Sequence, residues 1–292
     1  MIPEDSWAYF DYKYMSTEMH DAFLPLFSWE KFGFPDRDGS DSTLWVGTEG
    51  AHTPCHQDTY GENLIAQLVG SKTWTLFPPD QGHLLGPTRV PYEESSVYSS
   101  VNFVHLSHNS PTTLSKLSMT TPYIVTLHPG DVLYVPRHWW HQVYSNEYSI
   151  SVNTWLEHPE DTRARLGEAI VRCQVAQMVK GATADIKDRV LNPNEDDLVD
   201  TDIEKLTAIC NFVAADMRNL NGDKRIGFKK PKFVGEIKKL ESSEMILPES
   251  KTDLIKLENM ASKSFYDQVV KLINAVTNPS VIKEAIKCYL ET

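Results

Sequence analysis

Cysteine is scarce in this chain. Only Cys55, Cys173, Cys210 and Cys288 occur in 292 residues, and no two form a Cys-x-x-Cys pair. Such spacing supplies neither a disulfide framework nor a cysteine-based zinc site, so reduced thiols in a cytoplasmic, or alternatively nuclear, chain are expected. No run approaches the ~18 consecutive apolar residues of a membrane-spanning helix, so no membrane segment is expected. The opening Met-Ile-Pro-Glu-Asp-Ser-Trp has no basic segment followed by an apolar one, and no signal peptide is expected. Positive charge is in deficit: 28 Lys and Arg face 40 Asp and Glu, for a formal net charge of -12. General nucleic-acid binding needs a basic face, so that class is set aside.

What is present suits a globular core, at 41% hydrophobic and 10% aromatic residues. Of seven tryptophans, all but Trp155 precede residue 141, which places the core toward the N-terminus. The length allows one large domain or two smaller ones. Residues 1–41 form an aromatic-rich lead-in, whose residues 16–27 read as a short helix with Ser16 as N-cap and Pro25 near its end. Residues 42–157 read as strands at 42–47, 63–69, 73–77, 123–127, 132–135, 142–144 and 149–155. Glycine and proline turns separate them, and residues 78–121 read as mostly irregular. Along the last strand, Ser151, Asn153 and Trp155 share one face and Ile150, Val152 and Thr154 the other. This is the pattern of a sandwich or barrel. Residues 158–220 are a helical extension. One helix spans 160–180 with the stripe Leu166, Ile170, Cys173 and Ala176. A second spans 200–220 with Ile203, Leu206, Ile209 and Val213. Residues 221–262 read as a charged linker with a basic run. Residues 263–292 are a helix pair, the first marked by Phe265, Val269, Leu272 and Val276 and the second by Ile282, Ile286 and Tyr289.

Chemistry concentrates at His56 and Asp58. On extended backbone, residues two apart project to one side, so this imidazole and carboxylate can grip one face of a metal ion. A third ligand must come from elsewhere. His141, in Pro-Arg-His-Trp-Trp-His, is the candidate and His138 its rival. Two histidines and one carboxylate form the facial triad that holds non-haem Fe(II) with positions left open. The placement is consistent with two facing strands of a barrel. Lys72 offers a long-stemmed cation for the far carboxylate of a 2-oxoacid, and Thr53 a hydroxyl donor. From spacing alone, Lys72 reads equally as an exposed turn lysine. Asn63 and Asn153 sit on strands, where asparagine is disfavoured; they read either as buried amides partnered by a metal-bound carboxylate or as an exposed strand face. Cys55 is expected to point away from the metal, and His52, His105, His108 and His128 to be structural or solvent-facing.

Taken together, Gly50-Ala-His-Thr-Pro-Cys-His-Gln-Asp58, Asn63-Leu-Ile-Ala-Gln-Leu-Val-Gly-Ser-Lys72, Leu76-Phe-Pro-Pro-Asp80, Pro129-Gly-Asp-Val-Leu-Tyr-Val-Pro-Arg-His-Trp-Trp-His141 and Ser151-Val-Asn-Thr-Trp155 resemble the JmjC branch of the cupin Fe(II)/2-oxoglutarate oxygenases. The likeness is to the group around the asparaginyl hydroxylase that modifies hypoxia-inducible factor. It covers about residues 42–157 and implies a mainly β fold, a double-stranded β-helix (jelly roll), followed by C-terminal helices. It implies His56, Asp58 and His141 on iron, in preference to His138. It also implies Lys72 and Thr53 on the 2-oxoglutarate carboxylate, polar supporting roles for Asn63 and Asn153, and Tyr9 as the counterpart of a tyrosine that contacts the co-substrate. Trp7-Ala-Tyr-Phe-Asp-Tyr-Lys-Tyr14 and Pro87-Thr-Arg-Val-Pro-Tyr-Glu-Glu-Ser-Ser-Val97 are similar to a branch of JmjC proteins associated with a small heat shock protein, which implies a link to the stress response. Family members carry a further segment before the Trp7 region, so the chain is expected to be N-terminally short.

Three readings follow. The first is a protein hydroxylase using Fe(II), 2-oxoglutarate and O₂; N-methyl-lysine demethylation of histones or other proteins is the same chemistry at a methyl group. The second is a catalytically silent binding protein that engages a small heat shock protein. The third is a cupin holding another metal. A homodimer through the C-terminal helices is expected by analogy with the related hydroxylase.

Overall fold

The computed structural model describes residues 6–220, 238–239 and 260–291. In chain order the strands are β1 (Tyr9–Tyr14), β2 (Ser28–Trp29), β3 (Phe34–Asp38), β4 (Ser42–Gly47), β5 (His52–Asp58), β6 (Glu62–Val69), β7 (Lys72–Phe77), β8 (Pro87–Thr88), β9 (Ser96–Ser99), β10 (Tyr123–Leu127), β11 (Val132–Val135), β12 (Trp140–Ser145), β13 (Ser149–Leu156) and β14 (Lys238–Lys239). The helices are α1 (Met15–Glu18), α2 (Pro111–Leu117), α3 (Asp161–Val179), α4 (Ala184–Val190), α5 (Ile203–Leu220), α6 (Met260–Val276) and α7 (Pro279–Glu291).

Two antiparallel sheets make the β core. One runs β1-β4-β13-β6-β11 and the other β14-β10-β7-β12-β5-β9-β8, while β2 and β3 pair separately. Apart from the consecutive β8 and β9, neighbours in each sheet are far apart in sequence, as in a jelly roll. Ile65, Trp74, Leu76, Leu127, Leu133, Val135 and Val143 from both sheets form one core cluster. The N-terminal lead-in covers the outer face of the first sheet, where Met15, Leu24 and Trp29 meet Leu64, Val152 and Leu156. Residues of the 78–121 segment cover the second sheet, where Leu85, Phe103 and Leu117 meet Cys55, Phe77 and Trp140. With both faces covered, β7 buries five of its six residues. The turn from β6 into β7 needs a glycine. Gly70 has φ +62°, and a Cβ there would lie 2.0 Å from the Tyr148 carbonyl oxygen.

Local chemistry corrects several expectations. Residues 16–27 are not one helix. The chain leaves β1 through the four-residue α1, turns extended at Met19, and makes a 3₁₀ turn at Asp21–Leu26 that the His20 ring caps through Ala22 N–H. Pro25, which has no N–H to donate, sits inside that tight turn. Residues 78–121 are organised rather than irregular. They hold a 3₁₀ turn at Pro79–Leu84, strands β8 and β9, and α2, whose N-cap Ser110 accepts from Thr113 N–H. The charged stretch 221–262 lies outside the described residues except for β14, which pairs with Tyr123 and Ile124 of β10, and the first turn of α6.

The helical part buries a second cluster, in which Leu166, Val175 and Val179 of α3 meet Leu206 of α5, Ile273 of α6 and Ile282 and Ile286 of α7. Its stripes are rotated from those the sequence suggests. On α5 the buried line is Leu206, Cys210 and Ala214, whereas Ile203 is 46% exposed. On α6 Ile273 is fully buried and Leu272 is 56% exposed. On α3 Ile170 and Cys173 are only partly buried. Apolar spacing names a stripe, but the neighbouring helices decide which side of it is covered.

Candidate metal centre

β5 and β12 are hydrogen-bonded neighbours in one sheet, not strands facing each other across the core, and His141 lies directly opposite His56 in their register. Opposed residues of an antiparallel pair project to the same face. The imidazole centroids are therefore 4.2 Å apart. Asp58, two residues on from His56, reaches the same face, with Oδ1 3.6 Å from His56 Nε2 and Oδ2 3.9 Å from His141 Nε2. One donor atom from each of the three residues lies within 4.8 Å of the others.

Both histidines are held with Nε2 presented. His56 Nδ1 lies 2.9 Å from the Pro54 carbonyl and His141 Nδ1 lies 3.1 Å from the Trp139 carbonyl. A carbonyl can only accept, so Nδ1 carries the hydrogen and Nε2 keeps its lone pair, as a metal ligand requires. Burial holds the His141 imidazole down at about 3, with the neighbouring His56 adding to the shift, so it is neutral at physiological pH. Burial pushes the Asp58 carboxyl up to about 6, against the pull of His56 and with a further push from Glu93. Two imidazoles and one carboxylate on one cavity wall fit a divalent first-row metal of borderline hardness, Fe(II) among them. His138 takes no part. It has φ +64°, and its Nε2 donates to the Thr59 carbonyl at 3.0 Å.

The triad opens on a cavity of about 480 Å³. Lys72 stands on its wall, on the same face of β7 as Trp74, which stacks on His141 at 5.7 Å. Lys72 is not an exposed turn residue. It is 1% exposed, with Nζ donating to Ser151 Oγ at 2.9 Å and to the Tyr9 hydroxyl at 3.4 Å. No carboxylate lies within ion-pair distance of it among the described residues, and burial lowers its ammonium to about 7. Thr53 reaches this group through an irregularity. The β5–β12 register slips between His141 and Val143, which sets Thr53 opposite Val143 while His56 stays opposite His141. Residues three apart thus both line the cavity, contrary to strand alternation, and Thr53 hydrogen-bonds Tyr9. Pro54 at the slip cannot donate to the ladder and is tolerated where the ladder is broken.

Asn63 and Asn153 are buried cavity residues that partner each other. Asn153 Nδ2 donates to Asn63 Oδ1 at 2.8 Å, and Asn153 Oδ1 accepts from Trp45 Nε1 at 2.7 Å. Their supporting amides therefore come from within the protein, not from the Asp58 carboxylate. Cys55 is buried on the opposite face of β5, as expected. Asp11, Glu93, Glu94 and Asp267 also line the cavity. Glu93 accepts from Tyr98, Asn192 and Asn194, and Glu94 from Tyr60. Sequence reading missed Ser151, Trp45, Trp74 and these acids. Ser151 was within reach, because it shares a strand face with Asn153 and Trp155.

The profile described as a cupin-like domain matches residues 6–162, and the chain belongs to this family. Within it, the chain is 47% identical over 196 residues to the HSPB1-associated protein 1 homolog of Danio rerio, covering 66% of this chain and 43% of that protein. It is also 47% identical over 193 residues to HSPB1-associated protein 1 of Homo sapiens, covering 65% of this chain and 39% of that protein. A more distant relative, lysine-specific demethylase JMJ31 of Arabidopsis thaliana, is 31% identical over 118 residues, covering 40% of this chain and 21% of that protein. The chain thus spans less than half the length of these relatives.

Proposed function

We propose that the chain is an Fe(II)- and 2-oxoglutarate-dependent dioxygenase that hydroxylates a protein substrate. The observation that carries this reading is the meeting of two features in one cavity. A His56–Asp58–His141 set competent to hold a metal and a buried lysine with no anionic partner among the described residues both line it. A metal-binding protein without a co-substrate has no use for Lys72 there, and burying an unpaired ammonium is costly.

In this reading His56 Nε2, His141 Nε2 and an Asp58 oxygen would hold iron, and O₂ would supply the oxidising equivalents: half would go to the oxidative decarboxylation of 2-oxoglutarate to succinate and CO₂, and half, with the second oxygen atom, to hydroxylation of a substrate C–H. Lys72 holds the distal carboxylate of the co-substrate, with Tyr9, Thr53 and Ser151 supplying hydroxyls around it. The carboxylate restores the charge that burial takes from Lys72. Asn63 and Asn153 fix the polar wall, and the Trp74 ring against His141 keeps water from that side of the imidazole.

The names of the relatives motivate a small heat shock protein as partner or substrate, and the JMJ31 relation keeps N-methyl-lysine demethylation as the enzymatic alternative. The association in those names also supports a second class, a binding protein that retains the fold without turnover. The experiment is conversion of 2-oxoglutarate to succinate by the purified chain with Fe(II) and ascorbate, beside His56→Ala and Lys72→Ala. Turnover abolished by both changes supports the oxygenase. A folded chain with neither turnover nor Fe(II)-dependent 2-oxoglutarate binding overturns it in favour of the binding protein.

A further inference from the structure

Outside the cavity, the helical part brings two thiols together across its core. Cys173 on α3 and Cys210 on α5 stand 3.6 Å apart, sulfur to sulfur. Thirty-seven residues separate them in sequence, so the pairing is made by the packing of α3 on α5 and not by any local motif. The two thiols are unequal. Cys173 is half-buried, whereas Cys210 is 4% exposed. The contact with Cys210 lowers the Cys173 thiol to about 7, with the Arg172 guanidinium helping and burial opposing, and the same contact pushes the Cys210 thiol up. A reachable, readily ionised thiol beside a sheltered one is the arrangement of an attacking and a resolving cysteine. The remaining cysteines differ. Cys55 is buried on the far face of β5, where burial raises its thiol, and Cys288 is exposed on α7.

We propose that Cys173 and Cys210 are a redox modification site that closes to an intrachain disulfide by exchange with a low-molecular-weight disulfide such as oxidised glutathione. The Cys173 thiolate attacks one glutathione sulfur, forming a mixed disulfide and releasing glutathione thiolate. The Cys210 thiolate then attacks the Cys173 sulfur, forming the intrachain bond and releasing the second glutathione. The two cysteine protons end on the two glutathiones, two cysteines are oxidised, and one glutathione disulfide is reduced. A disulfide spans ~2.05 Å, so the sulfurs must close by roughly 1.6 Å, a distance that side-chain rotation and a small helix shift can supply.

The bond would tie more than two helices. The loop it closes contains α4 and the Pro193–Asp200 turn, with Asn192 just before that turn. Asn192 and Asn194 donate to Glu93, and Glu195 accepts from Glu94 N–H and pairs with Arg172. Glu93 and Glu94 line the candidate cavity. Oxidation therefore clamps the segment that frames the cavity wall, by removing freedom from the opened chain.

The test is a titration of the full chain in glutathione buffers of graded oxidised-to-reduced ratio, followed by acid quench, alkylation, digestion and mass spectrometry. The expected result is a peptide pair linked through Cys173 and Cys210, two hydrogen masses lighter than the free peptides and reversed by dithiothreitol. The oxidised chain should melt higher, by on the order of 5 °C. Cys210→Ser should trap a glutathione adduct on Cys173, and Cys173→Ser should leave Cys210 unmodified and abolish the melting shift. The wild-type peptide map decides the matter even if a variant folds poorly. Cys173 and Cys210 both remaining alkylatable at ratios that modify Cys288 would overturn the proposal, as would a linked pair involving any other cysteine.

Discussion

Lys72 on the cavity wall and Arg89 at the seam between the β core and α3 are both buried cations, 1% and 5% exposed, yet their surroundings are opposite. The charge of Arg89 is answered by an anion from within the protein, although its buried Nε finds no hydrogen-bond partner. Its guanidinium pairs with Glu168 of α3, donates to the Ser96 carbonyl and lies over the Tyr92 ring. Among the described residues Lys72 is answered only by neutral groups, the hydroxyls of Ser151 and Tyr9 and the Tyr9 ring, whose centroid lies 5.2 Å from Nζ. An ion pair completed at folding serves to join elements, here the 89–96 segment to α3. A buried cation left with neutral partners costs stability, and its surroundings become favourable only when an anion arrives. The contrast separates the part of the molecule that holds shape from the part prepared for a ligand.

Breaking Arg89 should give the largest effect. Arg89→Met strands the Glu168 carboxylate in a buried site and is expected to lower unfolding free energy by about 3–5 kcal/mol in denaturant titrations, with 2-oxoglutarate affinity of the remaining folded chain unchanged. Lys72→Met should do the reverse. Stability should hold or rise, while 2-oxoglutarate affinity measured by calorimetry on the Mn(II)-loaded chain falls roughly 10- to 100-fold, the loss expected for a charged hydrogen-bonded contact. Equal stability losses from the two substitutions would erase the distinction drawn between them.

The pH dependence sharpens it further. The folded-state value of Lys72 is depressed to about 7 from its ordinary 10.5, so between those values the unfolded chain binds the extra proton. The residue therefore contributes stability that rises with pH across that window, and Lys72→Met should remove this slope. Ligand binding should show the opposite trend. Because the anion needs charged Lys72, binding should take up a proton above pH 7, and affinity should fall by up to about tenfold per pH unit there. Calorimetry in buffers of different ionisation enthalpy reads that proton directly. The smallest expected effect is at the cavity amides, where Asn153→Ala breaks the links to Asn63 and Trp45 and should cost about 1–3 kcal/mol of stability, seen as a lowered melting midpoint.

Much of the β core is legible in the sequence. β4, β10 and β11 begin and end at the expected residues, because Pro-Gly-Asp and similar turns bound short alternating runs. His56 and Asp58 share a face because two residues make one strand repeat, and the two faces of β13 follow from the same period. The motif resemblance pointed to the jelly roll, which the family match bears out, and to His141 as the third member, a residue that lies beside His56 and Asp58. The strand β1 and the broken turn after it were missed, since edge-strand aromatics and short helices leave similar local patterns.

What sequence could not carry are the contacts made between distant segments. Thr53 joins the cavity only because the register slips by one residue against β12, and a period-2 reading sends it to the other side. Lys72 read equally well as a turn lysine, and its burial depends on Tyr9 and Ser151 arriving from other strands. Cys173 and Cys210 meet only because α3 and α5 pack with that face inward, while the apolar stripe alone favoured Ile209 over Cys210. Residue order determines local periodicity, turn chemistry and the donor types available to a metal. Which buried groups find a partner, and which are left for a ligand, depends on the sum of long-range packing, and no local window of sequence contains that sum.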